Sequence, residues 1–385
     1  MSEVRKVLRL GPLSIDPPVV LAPMAGVTNA PFRTLCRRYS AQRCLYVGEM
    51  ITARAFVEGH RRTRHLATFG SEEQGAVRSI QLYGTDAHSL GEAARILAQE
   101  DGADHIDLNF GCPVRKVTAS GGGAAIPLRP RLLARLVRAV VTAAGRVPVT
   151  MKFRKGVDDT LITCFDAARV GEDEGCAAVA LHARTAAQLY AGSADWPAIA
   201  ELKRSVQSIP VLGNGDIFEA DDALRMMRET GCDGVVVGRG CLGRPWLFRD
   251  LCAAFDGAPP PPQPDLGEVV EVLREHAALL AAFFGEKVGM MQVRKWTGWY
   301  LKGFPGLRRA MDALHRVETL AQLEAILAPL PRNVPYPLTA LRARRCKGGE
   351  TQTVALPEGF LVDRFAEADD IEASPDDEDA ARHGG

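Results

Sequence analysis

The 385-residue sequence predicts an α/β protein: a (β/α)8 TIM barrel over residues 1–257, a Pro-rich linker over 258–264, a small all-α helical bundle over 265–330, and an extension over 331–385 whose acidic end is expected to be disordered. Three observations carry this. Short β-rich runs alternate with helical stretches through the first two thirds of the chain. Each run ends in Gly or polar residues. The composition then changes abruptly at Ala258-Pro259-Pro260-Pro261-Pro262-Gln263-Pro264, a stiff segment that no helix accommodates.

The runs are Val19–Gly26, Leu45–Met50, Arg78–Gly84, His105–Pro113, Val147–Gly156, Ala177–Arg184, Ile209–Ile217 and Gly234–Gly240. Their starts lie about 25 to 40 residues apart, room for a helix and two loops. Between them, Asp86–Glu100 places Leu90, Ala94, Leu97 and Ala98 on one helical face, and Glu219–Thr230 stops at Gly231. Eight βα units favour a closed barrel over a doubly wound sheet. Spacing alone does not decide closure, so an open eight-stranded parallel sheet stays as the alternative. After the prolines, Leu266–Phe284, Val288–Tyr300, Leu307–Leu314 and Thr319–Leu327 read as helices split by Gly285, Gly303-Phe304-Pro305-Gly306 and Thr319. Asp369 to Asp379 is an acidic run with no apolar period.

Composition excludes several classes. An apolar fraction of 46% with 24% charged residues is that of a globular chain, neither disordered nor fibrous. Lys+Arg and Asp+Glu both number 47, so net charge points to no partner. No stretch approaches the ~20 apolar residues of a membrane span. The basic N-terminus runs into Gly11-Pro12 without an apolar core, so a cytoplasmic protein is expected. Nine cysteines without a CxxC pair read as reduced thiols, and neither a disulfide framework nor a metal site is expected.

In a barrel, function gathers at the C-terminal strand ends. There the chain places Ala22-Pro23-Met24-Ala25-Gly26, Gln81, Lys152 with Arg154, His182 with Arg184, Gly213-Asn214-Gly215-Asp216, and Gly238-Arg239-Gly240. The small apolar first set admits a planar ligand, and the glycine-rich turns of the last two strands suit a phosphate. Gly238-Arg239-Gly240-Cys241-Leu242-Gly243 matches GxGxxG, yet polyproline follows where a dinucleotide domain needs another strand. In Asn109-Phe110-Gly111-Cys112-Pro113 the Gly and Pro force a tight turn that presents the Cys112 thiol. With an ordinary pKa of about 8.5 a thiol can donate a proton as well as attack. The glycine-rich segment Ala119 to Ala125 reads as a flexible lid. From Lys287 to Arg309 every charged residue is basic, including Arg294, Lys295 and Lys302, and Trp296, Trp299 and Tyr300 are interleaved. A second basic cluster comprises Arg342, Arg344, Arg345 and Lys347. Such runs suit phosphate contact and base stacking, although taken alone they fit better a solvated helix face with Trp in the core.

From about Leu13 to Leu330 the sequence resembles the tRNA-dihydrouridine synthases, especially the bacterial B-type subgroup. The resemblance rests on Ala22 to Asn29, Gln81-Leu82-Tyr83-Gly84, Asn109 to Pro113, Met151-Lys152-Phe153-Arg154, His182-Ala183-Arg184-Thr185 with Gln188 and Tyr190, Gly213 to Ile217, Gly238-Arg239-Gly240 and Trp299-Tyr300-Leu301-Lys302-Gly303. Asn29 stands where the family usually has Asp. The resemblance implies a flavin-binding barrel and a helical tRNA-binding domain, with FMN as cofactor, NADPH or NADH as reductant and tRNA as partner. FMN contacts then map onto Pro23, Met24, Ala25, Gln81, Lys152, His182, Asn214, Gly215, Asp216, Gly238 and Arg239. Hydride from the flavin is expected at uridine C6 and a proton from Cys112 at C5, with Asn109 on the base edge and Arg154, Arg184, Gln188, Arg294, Lys295 and Lys302 as further substrate contacts. A monomer is expected. Two alternatives are an FMN barrel acting on a small pyrimidine, of the dihydroorotate dehydrogenase kind, and a largely non-catalytic tRNA-binding protein.

Overall fold

All eight β-rich runs form strands, and pairing of the last with the first closes them into a barrel. The structure, a computed structural model, describes residues 7–70, 73, 75–345, 349–362 and 364–365. The acidic segment 369–379 and Lys347 lie outside them. An antiparallel hairpin, β1 (Leu8–Leu10) and β2 (Leu13–Ile15), precedes the barrel. The barrel strands are β3 (Val19–Leu21), β4 (Leu45–Thr52), β5 (Ser79–Tyr83), β6 (His105–Phe110), β7 (Val149–Arg154), β8 (Ala178–His182), β9 (Val211–Asn214) and β10 (Gly234–Val237). Neighbours run parallel in chain order, and β10 pairs with β3 through Val235 to Val19 and Val237 to Leu21. Closure removes the open-sheet alternative and leaves no barrel edge to protect.

Period-two alternation sorts the strand residues. Val179, Leu181, Val235 and Val237 face the surrounding helices, whereas Ala178, Ala180, Leu212 and Val236 point into the barrel. Small residues leave space there, and the hairpin fills it: Leu8, Leu10 and Ile15 pack against these inward side chains. Two three-residue strands are too short to show a period, so sequence analysis missed this plug. Above it the inward positions turn polar (Ser79, His105, Asp107 and Thr150, all buried), and above these the barrel opens into a cavity.

Helix ends follow local chemistry. Asp86 accepts hydrogen bonds from the N–H groups of His88 and Ser89 at 3.0 and 2.8 Å, capping the helix Ala87–Gln99. Asn29 does the same for Ala30–Tyr39, accepting from Phe32 N at 3.2 Å. The helices Leu266–Phe284, Glu286–Tyr300, Arg308–Leu314 and Leu320–Leu327 follow the proline-rich segment. At Gly289 an added Cβ would lie 2.7 Å from Ala281 Cα, so the first two helices meet only because that residue is Gly. The proline-rich segment is pinned: Trp246 Nε1 donates to Gln263 Oε1 at 3.1 Å, and Arg249 donates to Pro262 O at 3.0 Å.

The bundle shares its core with the barrel. Phe32 of the first barrel helix meets Trp296 with ring centroids 4.6 Å apart, and His276 meets the same indole at 4.4 Å. Trp296 and Tyr300 are fully buried, so they are core residues rather than base-stacking platforms. Replacing Trp296 with Ala should cost about 3–5 kcal/mol by cavity formation. Urea unfolding followed by tryptophan fluorescence and circular dichroism should still show one transition. Two transitions would mean that barrel and bundle fold apart.

Candidate active site

The cavity at the C-terminal strand ends has a volume of about 340 Å³. Pro23, Met24, Ala25, Gln81, Lys152, His182, Asn214, Gly215, Asp216, Gly238 and Arg239 all line it, together with Asn109, Cys112 and Arg154. Strand β3 hands its end to one wall, where Ala22, Met24 and Ala25 form an apolar face.

A chain of buried polar side chains rises through the barrel to Cys112. Ser79 Oγ pairs with His105 Nδ1 at 2.7 Å, and His105 Nε2 with Thr150 Oγ1 at 3.0 Å. Thr150 donates to Asp107 Oδ1 at 2.5 Å, and Gln81 Nε2 donates to Asp107 Oδ2 at 2.7 Å. Asn109 Nδ2 donates to Gln81 Oε1 at 2.9 Å, and Asn109 Oδ1 accepts from Gly111 N and Cys112 N at 3.0 and 2.9 Å. Asn109 is therefore the residue that shapes the cysteine turn, and its carbonyl oxygen already carries two N–H donors. Below the turn, Ala124 N donates to Cys112 O at 3.0 Å. Gly123, at φ +53°, lies so close that an added Cβ would stand 2.6 Å from Cys112 O. The segment read as a lid is thus a buried wedge: Arg115–Ala119 is helical, and Gly123–Leu128 forms a buried 3-10 helix.

Burial sets the protonation states. It pushes the Cys112 thiol up, against the opposing pull of a backbone N–H and Arg154, so the thiol is protonated at neutral pH. Burial pulls Lys152 down to about 8, helped by Arg154 and opposed by Asp107. Burial raises Asp107 to about 6 against its hydrogen bonds from Thr150 and Gln81. His182 is held neutral, first by burial and then by the surrounding cations.

At the last two strands the backbone takes up rare conformations, φ +127° at Gly215 and +59° at Asp216. Asp216 is held there by Arg184 Nη2 at 2.8 Å and Ala194 N at 2.7 Å. The Arg239 guanidinium lies 4.0 Å over the Tyr190 ring.

Five further expected substrate contacts do not line this cavity. Arg184 braces Asp216, Ala191 O and Gly192 O and faces a neighbouring cavity of about 570 Å³. Gln188 Oε1 accepts from Thr185 N at 2.8 Å, closing its own turn. Arg294 donates to Val317 O at 3.0 Å within the bundle. Lys295 donates to Gly26 O, joining the bundle to the loop after β3. Lys302 is exposed. Conversely, Met50, Trp299 and Glu350 line the cavity. Trp299 stands in the basic-aromatic run already singled out, whereas nothing in the sequence around Glu350 marks it.

An apolar wall for a flat ring system, amides and a lysine beside it, and two glycine turns with an arginine at the far end match a flavin nucleotide in shape and donor chemistry. A closed barrel with this cavity at its strand ends has the architecture of a barrel enzyme. The chain belongs to the dihydrouridine synthase family, whose model, "Dihydrouridine synthase (Dus)", matches residues 20–333. It is 54% identical over 363 residues to "Probable tRNA-dihydrouridine synthase" of Mycobacterium tuberculosis (strain ATCC 25618 / H37Rv), covering 92% of each chain. It is 40% identical over 312 residues to "tRNA-dihydrouridine synthase B" of Xanthomonas axonopodis pv. citri (strain 306), covering 81% of this chain and 92% of that one. The fold aligns with histamine dehydrogenase from Rhizobium sp. 4-9 at a TM-score of 0.50 and 13% identity, over 71% of this chain and 50% of that one. The B-type resemblance read from the motifs therefore holds, and the protein is an enzyme. Among the described residues no helix is long and apolar enough to cross a membrane, and no group of three or more His, Cys, Asp or Glu is placed to hold a metal ion.

Because Lys152 is charged below about pH 8 and neutral above it, flavin affinity of the flavin-free protein should weaken by about tenfold as pH rises from 7 to 9. Fluorescence-quenching titrations measure this. Lys152→Met should bind weakly at both pH values, and a pH-independent wild type would remove Lys152 from the flavin's contacts.

Proposed function

We propose that the chain reduces the C5–C6 double bond of uridines in tRNA to 5,6-dihydrouridine, with FMN as its flavin and NADPH or NADH as the source of reducing equivalents. The observation that carries this reading is a protonated thiol on a rigid turn, facing the same cavity as the apolar wall and the cationic turns. Met24 and Ala25 would back the ring system, Gln81 and Lys152 its polar edge, and Gly215, Asp216, Gly238 and Arg239 the phosphate end. When bound, the flavin supplies the hydride that uridine C6 receives.

Cys112 supplies the other half. Addition at C6 moves an electron pair onto C5 and the C4 carbonyl, and the Cys112 S–H donates its proton to C5 as that charge develops. The thiolate left behind recovers a proton from solvent before the next turnover. Burial favours this direction, since it keeps the thiol protonated until a base arrives. Asn109 contributes by holding the turn, and Arg154 by donating to Gly111 O at 3.0 Å. The target base has to leave its stack in the RNA to reach a cavity sunk in a barrel mouth.

Exposed cations on the bundle support the tRNA partner. Lys287, Lys302, Arg308 and Arg309 are exposed, whereas Trp296 and Tyr300 of the same run are buried. RNA contact by these exposed cations is through phosphates and shape. A small pyrimidine needs no such face, and a binding protein needs no thiol at the cavity. A tRNA substrate fits the expected cytoplasmic location.

Two results are expected. Cys112→Ala should retain flavin while reoxidation of the reduced enzyme by unmodified tRNA slows about 10²- to 10⁴-fold, followed anaerobically by flavin absorbance. A wild-type rate would refute the acid role, and reoxidation by orotate instead of tRNA would favour the small-pyrimidine enzyme. The Lys287→Glu/Lys302→Glu double variant should weaken tRNA binding and reduce the slope of log affinity against log salt by about one to two. An unchanged slope would move the RNA to another face.

A further inference from the structure

Three consecutive carbonyls run through the cysteine turn, and each receives one donor. Arg154 Nε serves Gly111 O from inside the barrel, and Ala124 N serves Cys112 O from the wedge below. The third donor comes from the C-terminal extension. Gln352 Nε2 donates to Pro113 O at 2.6 Å and, with its second proton, to Ala186 O at 3.1 Å. Gln352 N also donates to Ala187 O at 2.8 Å. One side-chain amide thus joins the turn after β6 to the rim segment after β8. Arg154 makes the same join from the opposite side, reaching Thr185 O at 2.9 Å and Leu189 O at 2.8 Å with Nη1. Cys112 sits between these two staples.

The segment that brings Gln352 is itself anchored. Phe360 is buried against Ala125 and Leu128, and the Arg129 guanidinium lies 4.4 Å over its ring. Those partners belong to or adjoin the 3-10 wedge that carries Ala124, so the extension and the wedge brace the same turn. The family model stops at residue 333, whereas the match to the Mycobacterium tuberculosis relative covers 92% of this chain and so continues past that point. The extension is therefore an addition to the matched family core.

We propose that Gln352 is a positioning residue for Cys112: by holding Pro113 O against the β8 rim it fixes where the thiol points in the cavity. This rests on the reading of Cys112 as proton donor. A proton transfer to carbon is sensitive to placement, and an error of about 1 Å can cost on the order of 10²-fold. Gln352 touches neither proton nor base and acts only through the turn.

The test uses full-length, flavin-loaded enzyme carrying Gln352→Ala, with Gln352→Met as a second variant that keeps side-chain length while losing both donors. Each is reduced anaerobically with dithionite and mixed with saturating unmodified tRNA. Reoxidation should slow about 10- to 100-fold, with flavin content and tRNA affinity unchanged. In a Cys112→Ala background Gln352→Ala should add nothing, because residues acting as one unit are not additive. Equal slowing in both backgrounds, or wild-type rates in the Gln352 variants, overturns the positioning role and leaves the acid reading intact. A Cys112→Ala enzyme that reoxidises at the wild-type rate overturns the acid reading and this inference with it.

Discussion

A carboxyl group buried inside a barrel has to be satisfied, and the way Asp107 is satisfied organises the catalytic end of this molecule. Its two oxygens draw Thr150 and Gln81 into fixed orientations. Gln81 then orients Asn109, and Asn109 folds the turn that carries Cys112. A buried polar network is stabilising only when every member has its partner, so each link restrains the next. Inward positions on β5, β6 and β7 thus hold one side of the turn that carries the thiol, although none of them is itself reactive. Burial of the same layer also keeps Cys112 protonated and brings Lys152 to a charge change at about pH 8, close to neutrality.

The second constraint is the common core of barrel and bundle. Phe32, His276, Trp296 and Tyr300 interlock, so the two parts cannot shift independently without opening an aromatic cluster. Lys295 adds a polar tie across the same junction. Its ammonium donates to Gly26 O, while Gly26 N donates to buried Glu49 at 2.6 Å. A bundle joined in this way to the loop that walls the cavity keeps its surface at a set distance from the thiol.

Sequence patterns were most legible where one residue type has one physical use. Glycine and proline bracket Cys112, Pro-rich residues end the barrel, and Asp86 marks a helix start, and each of these was readable without coordinates. Arginines and lysines were the least legible. Arg184, Arg294 and Lys295 read as ligand-binding cations in a one-dimensional run, and in the fold they also donate to Asp216, Val317 O and Gly26 O. A long cationic side chain satisfies backbone carbonyls as well as it satisfies phosphates, and only the fold decides which it meets. The loop Ala119 to Ala125 misled for a related reason: glycines permit flexibility, but here they permit close approach to Cys112 O.

By itself the sequence determined the eight βα units, the change to helices after the prolines, and the set of residues delivered to the strand ends, because periodicity and turn chemistry are local. Barrel closure, the hairpin plug and the Cys112–Asn109–Gln81–Asp107 chain were decided only in three dimensions. So was the return of Gln352 to Pro113 across 239 residues. Each of these joins groups distant in sequence, and which buried donor meets which acceptor depends on the packing of the whole barrel rather than on any stretch of it.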